Sequence, residues 1–276
     1  MRLQEDRAVW VEPLTPTLGA VIHGIELAHA DSAAIGIVRE ALLTHKVVFF
    51  RDQNLDDRAQ RDFAACFGPL KRFPFGSPVD EAVPEVHAIV GGGERPKVGN
   101  ADIWHSDATF LAAPPFGSVL RSVTLPSHGG DTLFADAAAA YDALSSRMQR
   151  MLDELTATHD FANSSAHRRP LHDEYPPVSH PVVRVHPDTG RRSLFVNRIF
   201  TSRIDQLTDR ENEVLLPMLC DHIRSPDFQC RFTWHPGSVA FWDNRCTQHY
   251  AVADYREPRV MHRVVIDGTV PRAPTS

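Results

Sequence analysis

Trp104-His105-Ser106-Asp107 is the stretch that decides how this chain must fold. In an extended segment, residues i and i+2 point to the same side, so His105 and Asp107 can both reach one metal ion, whereas a helix would splay them apart. A second block far downstream, Trp242-Asp243-Asn244-Arg245-Cys246-Thr247-Gln248-His249, supplies another imidazole. Two imidazoles and one carboxylate are the protein ligands of a facial-triad iron(II) site, which leaves three positions open for small molecules. The fold must therefore close the long gap between the two blocks by bringing distant strands together.

Around these blocks the chain alternates short β-rich runs with a few amphipathic helices. Val47 to Phe50 reads as an apolar strand, and Asp57 to Phe67 places Phe63, Cys66 and Phe67 at helical spacing. Ala143 to Thr158 carries Leu144, Met148, Met151, Leu152 and Leu155 along one helical face, and Glu211 to Ile223 does the same with Val214, Leu215, Met218 and Leu219. The methionines read as core filler. Pro181 to His186, then Pro187 to Gly190, then Ser193 to Asn197 reads as strand, turn, strand. Mostly-β strands with helical insertions and ligands that must converge point to a double-stranded β-helix, the jelly-roll or cupin-like architecture. A doubly wound α/β sheet fits less well, because strands and helices do not alternate regularly and no glycine-rich phosphate turn follows a strand.

The 276 residues are 42% hydrophobic, enough for one core, so residues 1–276 are expected to form a single domain. A net charge of −6 and a pI near 6.2 give no basic field for nucleic acid, and the apolar runs are strand-sized, so neither nucleic acid nor a membrane is an expected partner. The N-terminus, Met1 to Asp6, lacks an apolar leader core, which implies a cytoplasmic location. Cys66, Cys220, Cys230 and Cys246 are widely spaced and read as buried free thiols. Cys246 stands three residues before His249 but is not needed as a ligand, since His249 completes the triad.

A bare His-x-Asp is a weak signal among 15 histidines. The third block, Arg256-Glu257-Pro258-Arg259-Val260-Met261-His262-Arg263, sharpens it. With it the chain resembles the taurine dioxygenase family of Fe(II)- and 2-oxoglutarate-dependent dioxygenases. The resemblance runs over nearly the whole chain, from Gly19 to Gly24 through Lys46 to Gln53, Trp104 to Phe110, Gly129 to Thr132 and Leu194 to Asn197, to Trp242 through Arg263. It implies the jelly-roll fold, with His105, Asp107 and His249 holding Fe(II) and with 2-oxoglutarate and O2 as co-substrates. Oxidative decarboxylation would release succinate and carbon dioxide while a hydrogen atom is taken from the substrate.

The far carboxylate of 2-oxoglutarate calls for a guanidinium fork, and the resemblance assigns that role to Arg259 with the hydroxyl of Thr132. Arg263 follows at an even offset, so both arginines share one face of the last strand. Two buried cations imply two anions. By resemblance Arg263 binds the acidic head of the prime substrate, a small organic anion. Taurine dioxygenases carry a histidine and an asparagine where this chain has Phe73 and Ala101, which removes partners suited to taurine's amine and sulfonate. An alkyl sulfate, a less polar sulfonate or an aryloxy-carboxylate suits the greasier pocket, with Phe73, Phe110 and Phe161, and further Phe195 and Phe200, as candidate walls. Related halogenases replace the carboxylate ligand with a small residue, so Asp107 favours hydroxylation, and oxidation at a carbon bearing a heteroatom would cleave it.

Trp104 and Tyr250 are expected to pack around the site, and Asn244 and Arg245 to orient His249 from behind. Proline- and glycine-bearing stretches from Phe73 to Asp102 and from Asn163 to Pro181 are candidate lids. A homodimer or homotetramer is the expected assembly. Two other readings stay open: a non-catalytic cupin-like small-molecule binding protein, and a zinc hydrolase using the same three ligands.

Overall fold

A computed structural model describes residues 8–72, 78–93, 101–164 and 174–275 of the chain. The first half runs β1 (Trp10–Pro13), β2 (Ala20–His23), α1 (Ser32–His45), β3 (Val47–Phe50), α2 (Asp57–Ala65), β4 (Leu70–Lys71), β5 (Val86–Gly91), β6 (Gly117–Thr124) and β7 (Thr132–Asp136). Two helices follow, α3 (Ala137–Asp142) and α4 (Ser146–Asp153), then β8 (Thr156–His159), β9 (Val178–Pro181), β10 (Val183–Val185), β11 (Arg192–Leu194) and β12 (Thr201–Ile204). The chain closes with α5 (Asp209–Ile223), β13 (Gln229–Phe232), β14 (Val239–Asp243), β15 (Thr247–Ala251) and β16 (Arg259–Ile266).

Eight strands form the larger sheet in the order β1-β2-β3-β14-β6-β16-β4, with β5 also paired to β16. A three-stranded sheet, β13-β7-β15, lies opposite. Alternation along the strands makes the sandwich. Phe49, Leu120, Ala240, Trp242 and Met261 point from the larger sheet onto Phe134, Cys230 and Phe232 of the smaller one. The residues between them, Val48, Phe50, Val119, Phe241 and Val264, point the other way into a second core closed by Val38 and Leu42 of α1 and Phe63 of α2. This two-sheet wrap with outer helices is the double-stranded β-helix that the sequence implies.

The helices start where side chains cap them. Asp31 and Asp56 accept from Ala34 and Ala59 backbone N–H groups, and Thr208 with Glu211 forms a reciprocal capping box on α5. Caps also correct one expectation. The stretch Ala143 to Thr158 is not one helix: Ser145 caps the shorter α4, and Thr156 and Thr158 belong to β8, where both hydroxyls donate to Asp205. Met151 and Met218 are 41% and 37% exposed and do not fill the core. Cys66 is exposed, unlike the other three cysteines, and all four thiols are free. Within the candidate lid from Phe73 to Asp102, Val86 to Gly91 forms a strand along β16, while residues 73–77 and 94–100 lie outside the described residues. Residues 165–173 of the second candidate lid lie outside them as well.

Candidate active site

The hairpin of β14 and β15 joins the two sheets, and its turn is tied by side chains. Asp243 accepts from the Arg245 backbone N–H at 2.9 Å, and its carbonyl accepts from the Thr247 hydroxyl at 2.8 Å. This sets His249 on β15 beside Phe134 of β7. His105 then joins as an isolated antiparallel bridge: its N–H donates to the His249 carbonyl at 3.2 Å, and the His249 N–H donates back at 2.8 Å. Backbone pairing thus places the two imidazoles 4.2 Å apart, centre to centre.

Asp107 completes the group from a turn in which Ala108 adopts φ +47°. Asn244 fixes that turn from both sides. Its Oδ1 accepts from the Asp107 N–H at 2.6 Å, and its Nδ2 donates to the carbonyls of Asp107 and Pro115 at 3.0 and 3.2 Å. Asn244 therefore orients Asp107 and not His249, as the sequence had suggested. Arg245 faces away from the imidazoles, its guanidinium on Asp243 and Asp188 and stacked over Phe116. Trp104 packs against Tyr250 with ring centres 5.7 Å apart.

The Nε2 atoms of His105 and His249 each lie 3.8 Å from Asp107 Oδ1. Bonds of about 2.1 Å from one ion span such separations. His105 Nδ1 sits 2.7 Å from the Ile103 carbonyl, and a donated proton there leaves the Nε2 lone pair facing the centre. Burial pushes His105 below the usual histidine range and, with His105 nearby, holds His249 at about 3, so both rings are neutral and ready to coordinate. Burial alone would raise Asp107, but Arg263, the two imidazoles and the Ser118 hydroxyl outweigh it and keep the carboxylate ionised. These three residues fit a divalent cation.

A second group with metal-ligand chemistry, His186, Asp243 and Cys246, does not. His186 Nδ1 accepts from the Asp188 and Thr189 N–H groups, so its Nε2 proton points at Asp243 Oδ2, 2.9 Å away. The Asp243 carboxylate is further saturated by three bonds from Arg245. A cation there would have to displace a complete hydrogen-bond set.

A cavity opens over the centre. Its polar wall is His105, His249, Thr132, Arg259 and Arg263, and Ile89, Leu120, Ala101, Ala251 and Met261 supply apolar wall. Arg259 is 3% exposed, and its Nε and Nη2 have no hydrogen-bond partner. Burial lowers this guanidinium from its ordinary value, while Tyr255 and Asp131 act to hold its charge. Its Cζ lies 5.9 Å from the Trp234 ring centre, and the indole N–H donates to Thr132 Oγ1 at 3.0 Å. Two orphaned donors on a buried cation are what an absent carboxylate would satisfy. Arg263 Nη1 donates to Asp107 Oδ1 at 2.9 Å, so its guanidinium stands directly beside the metal-facing oxygen.

The phenylalanines divide differently from expectation. Phe110, Phe161 and Phe200 pack on one another, with Phe110 4.7 and 5.0 Å from the other two ring centres, in a cluster under Ala108 that is separate from the cavity wall. Phe195 stacks with His159 and carries Arg184. Phe73 lies outside the described residues. Ala101 does line the cavity and accepts from the Ala251 N–H at 2.7 Å. Ser118, Trp234 and the apolar wall of Ile89, Leu120 and Met261 went unnoticed in the sequence; alternation along β5, β6 and β16 was the only signal for the last three.

Residues 10–265 match the sequence model of the taurine catabolism dioxygenase TauD, TfdA family. An α-ketoglutarate-dependent sulfate ester dioxygenase from Pseudomonas putida is 37% identical over 95% of this chain and 90% of its own length. An (S)-phenoxypropionate/α-ketoglutarate dioxygenase from Sphingobium herbicidovorans is 33% identical over 94% of each. The crystal structure of a taurine dioxygenase from Burkholderia xenovorans superposes with a TM-score of 0.84 at 38% identity, covering 96% of this chain and 91% of that one.

Proposed function

Because the chain belongs to the TauD, TfdA family, we propose that it is an Fe(II)- and 2-oxoglutarate-dependent dioxygenase that oxidises a small organic anion seated on Arg263. The observation that carries this reading is the convergence of His105, Asp107 and His249 in one cavity with two arginines, one of them buried with two unpartnered nitrogens. His105, Asp107 and His249 hold the metal. Fe(II), when bound with 2-oxoglutarate and O2, supplies the oxidising chemistry: one oxygen atom goes to the substrate carbon, and the 2-oxo acid leaves as succinate and carbon dioxide.

The chain's own residues do the rest. Arg259 and Thr132 seat the far carboxylate of 2-oxoglutarate, Ser118 and Asn244 keep Asp107 aimed, and Arg263 fixes the acidic head of the substrate so that its tail crosses the centre. A binding protein without turnover would have no use for a metal triad and two anion-seating arginines together. Ile89, Leu120, Ala251 and Met261 give the cavity a largely apolar wall away from its arginines and imidazoles, and Ala101 adds no polar side chain to it. We therefore place sulfate esters, apolar sulfonates and aryloxy-carboxylates ahead of taurine, in keeping with the sulfate ester and phenoxypropionate dioxygenases to which the chain is similar. Hydroxylation at the carbon bearing the ester oxygen gives an unstable adduct that collapses to an aldehyde and the free anion. The reading takes residues 1–276 as one catalytic domain, with support from the family match over residues 10–265, working as a cytoplasmic homodimer or homotetramer.

The test is succinate formation with Fe(II), ascorbate and 2-oxoglutarate in air, across taurine, longer sulfonates, alkyl sulfates and aryloxy acids. Stimulation by one apolar class, abolished in His105→Ala, is the expected result. Turnover restored by zinc in place of iron, or no 2-oxoglutarate consumption with any compound, would refute the proposal.

A further inference from the structure

Beside Arg259 stands a phenol that the sequence reading left without a role. Tyr255 lies between β15 and β16 and is 3% exposed, and its hydroxyl is buried without a hydrogen-bond partner in good geometry. Its ring centre is 5.8 Å from Arg259 Cζ. The Tyr255 hydroxyl and the Arg259 Nε and Nη2 lie side by side, the phenol oxygen turned to the guanidinium, and together they have more N–H and O–H protons than acceptors around them. Buried donors are almost always satisfied, so a phenol and a guanidinium with protons left over after their mutual contact mark the seat of a further acceptor.

The backbone makes room for this cluster. Gly91 pairs with Arg259 across β5 and β16, and cross-strand neighbours share a face. A Cβ at Gly91 would lie 2.2 Å from the Tyr255 hydroxyl oxygen, so the phenol occupies the space that a side chain there would fill. On the other flank Gly130 adopts φ +72°, and a Cβ there would meet Arg259 Cδ and Nε at 3.1 Å and Tyr255 Cδ1 at 3.2 Å. Only with glycine at both positions can phenol and guanidinium lie next to each other.

We infer that the Tyr255 hydroxyl is a further hydrogen-bond donor to the far carboxylate of 2-oxoglutarate, next to the Arg259 fork and Thr132. The inference rests on the dioxygenase reading above. A carboxylate offers about four acceptor sites, so the fork, Thr132 and the phenol can all be accommodated. Tyr255 thereby makes the cradle selective for 2-oxo acids that carry a second carboxylate.

The experiment compares 2-oxoglutarate with 2-oxovalerate, a 2-oxo acid of the same chain length without the far carboxylate. Both are titrated anaerobically into the Fe(II) protein and followed by the visible absorption of the iron chelate. Tyr255→Phe should raise the Kd for 2-oxoglutarate roughly tenfold, the loss of one hydrogen bond to a charged acceptor. The Kd for 2-oxovalerate should stay unchanged. Gly91→Ala, which pushes the hydroxyl from its place, should reproduce the pattern. Equal weakening of both acids, or no change for either, would overturn the inference and leave Tyr255 as packing. A wild-type protein that does not prefer 2-oxoglutarate to 2-oxovalerate would instead overturn the co-substrate role of Arg259, and the inference with it.

Discussion

Asn244 holds Asp107 by three hydrogen bonds to its backbone and its neighbourhood, and none of them passes through the metal-facing oxygen. Asn244→Ala should therefore leave all three ligands present but mis-aimed, with Fe(II) affinity falling about 10- to 100-fold in a chelator competition. Unchanged affinity would show that the turn holds itself. His159 makes a different prediction. It is fully buried, with Nδ1 2.8 Å from Thr109 Oγ1, and burial, helped by His180, pulls it down to about 3. A base with its folded pKa below the unfolded value leaves stability at its full level above pH 6.5 and lowers it as pH falls toward 3, on the order of 5 kcal/mol in all. Urea unfolding across that window should show the decline, and His159→Gln should make it shallower, leaving the part that His249 and His105 contribute. At this scale the ligands were legible because chemistry dictates their types: two imidazoles and a carboxylate, His105, His249 and Asp107, suit one divalent cation. What Asn244 grips and what Tyr255 fills were not legible, because both depend on which backbone the folded chain brings opposite them.

The last strand shows how much an element can carry. β16 holds Arg259 and Arg263 at an even offset on the cavity face with Met261 between them, and the opposite face buries Val264 and Ile266. That division was readable from period-2 alternation alone. The helix expected over Ala143 to Thr158 was not, since the apolar spacing continues past Asp153 while the β-branched Thr156 and Thr158 find partners in Asp205. The third case is β7, whose Phe134 is wholly buried among Phe49, Trp242 and His249. Phe134→Ala should cost about 3–5 kcal/mol by the cavity it leaves. It should also loosen His249, so the denaturation midpoint and the Fe(II) affinity are expected to fall together. A loss of stability with metal binding intact would mean that β15 is set by its hairpin alone.

At the scale of the whole molecule the chain carries a net charge of −6, yet its cavity presents two arginines, with Asp107 behind Arg263 as the carboxylate beside them. A bound Fe(II) adds to that positive field, so the site favours two anions in a protein that otherwise repels them. Ligands that bind only the folded state stabilise it, by about 2.7 kcal/mol at a hundredfold excess over Kd. Fe(II) with 2-oxoglutarate should raise Tm by roughly 5–10 °C under nitrogen, and His105→Ala should lose most of that shift. The jelly roll was foreseen because ligands so far apart in sequence must meet. The cavity's extent was not, because its apolar wall comes from single residues on β5, β6 and β16 that look like any core positions. The central claim is that the two arginines divide the anions between them, and a crossed binding measurement tests it most directly. The Kd of 2-oxoglutarate and of the best sulfate ester or aryloxy acid would be measured in Arg259→Ala and Arg263→Ala Fe(II) proteins. Arg259→Ala should weaken mainly 2-oxoglutarate and Arg263→Ala mainly the substrate, each by a hundredfold or so, the loss of a buried charged pair. Parallel losses of both ligands in both variants would contradict the account.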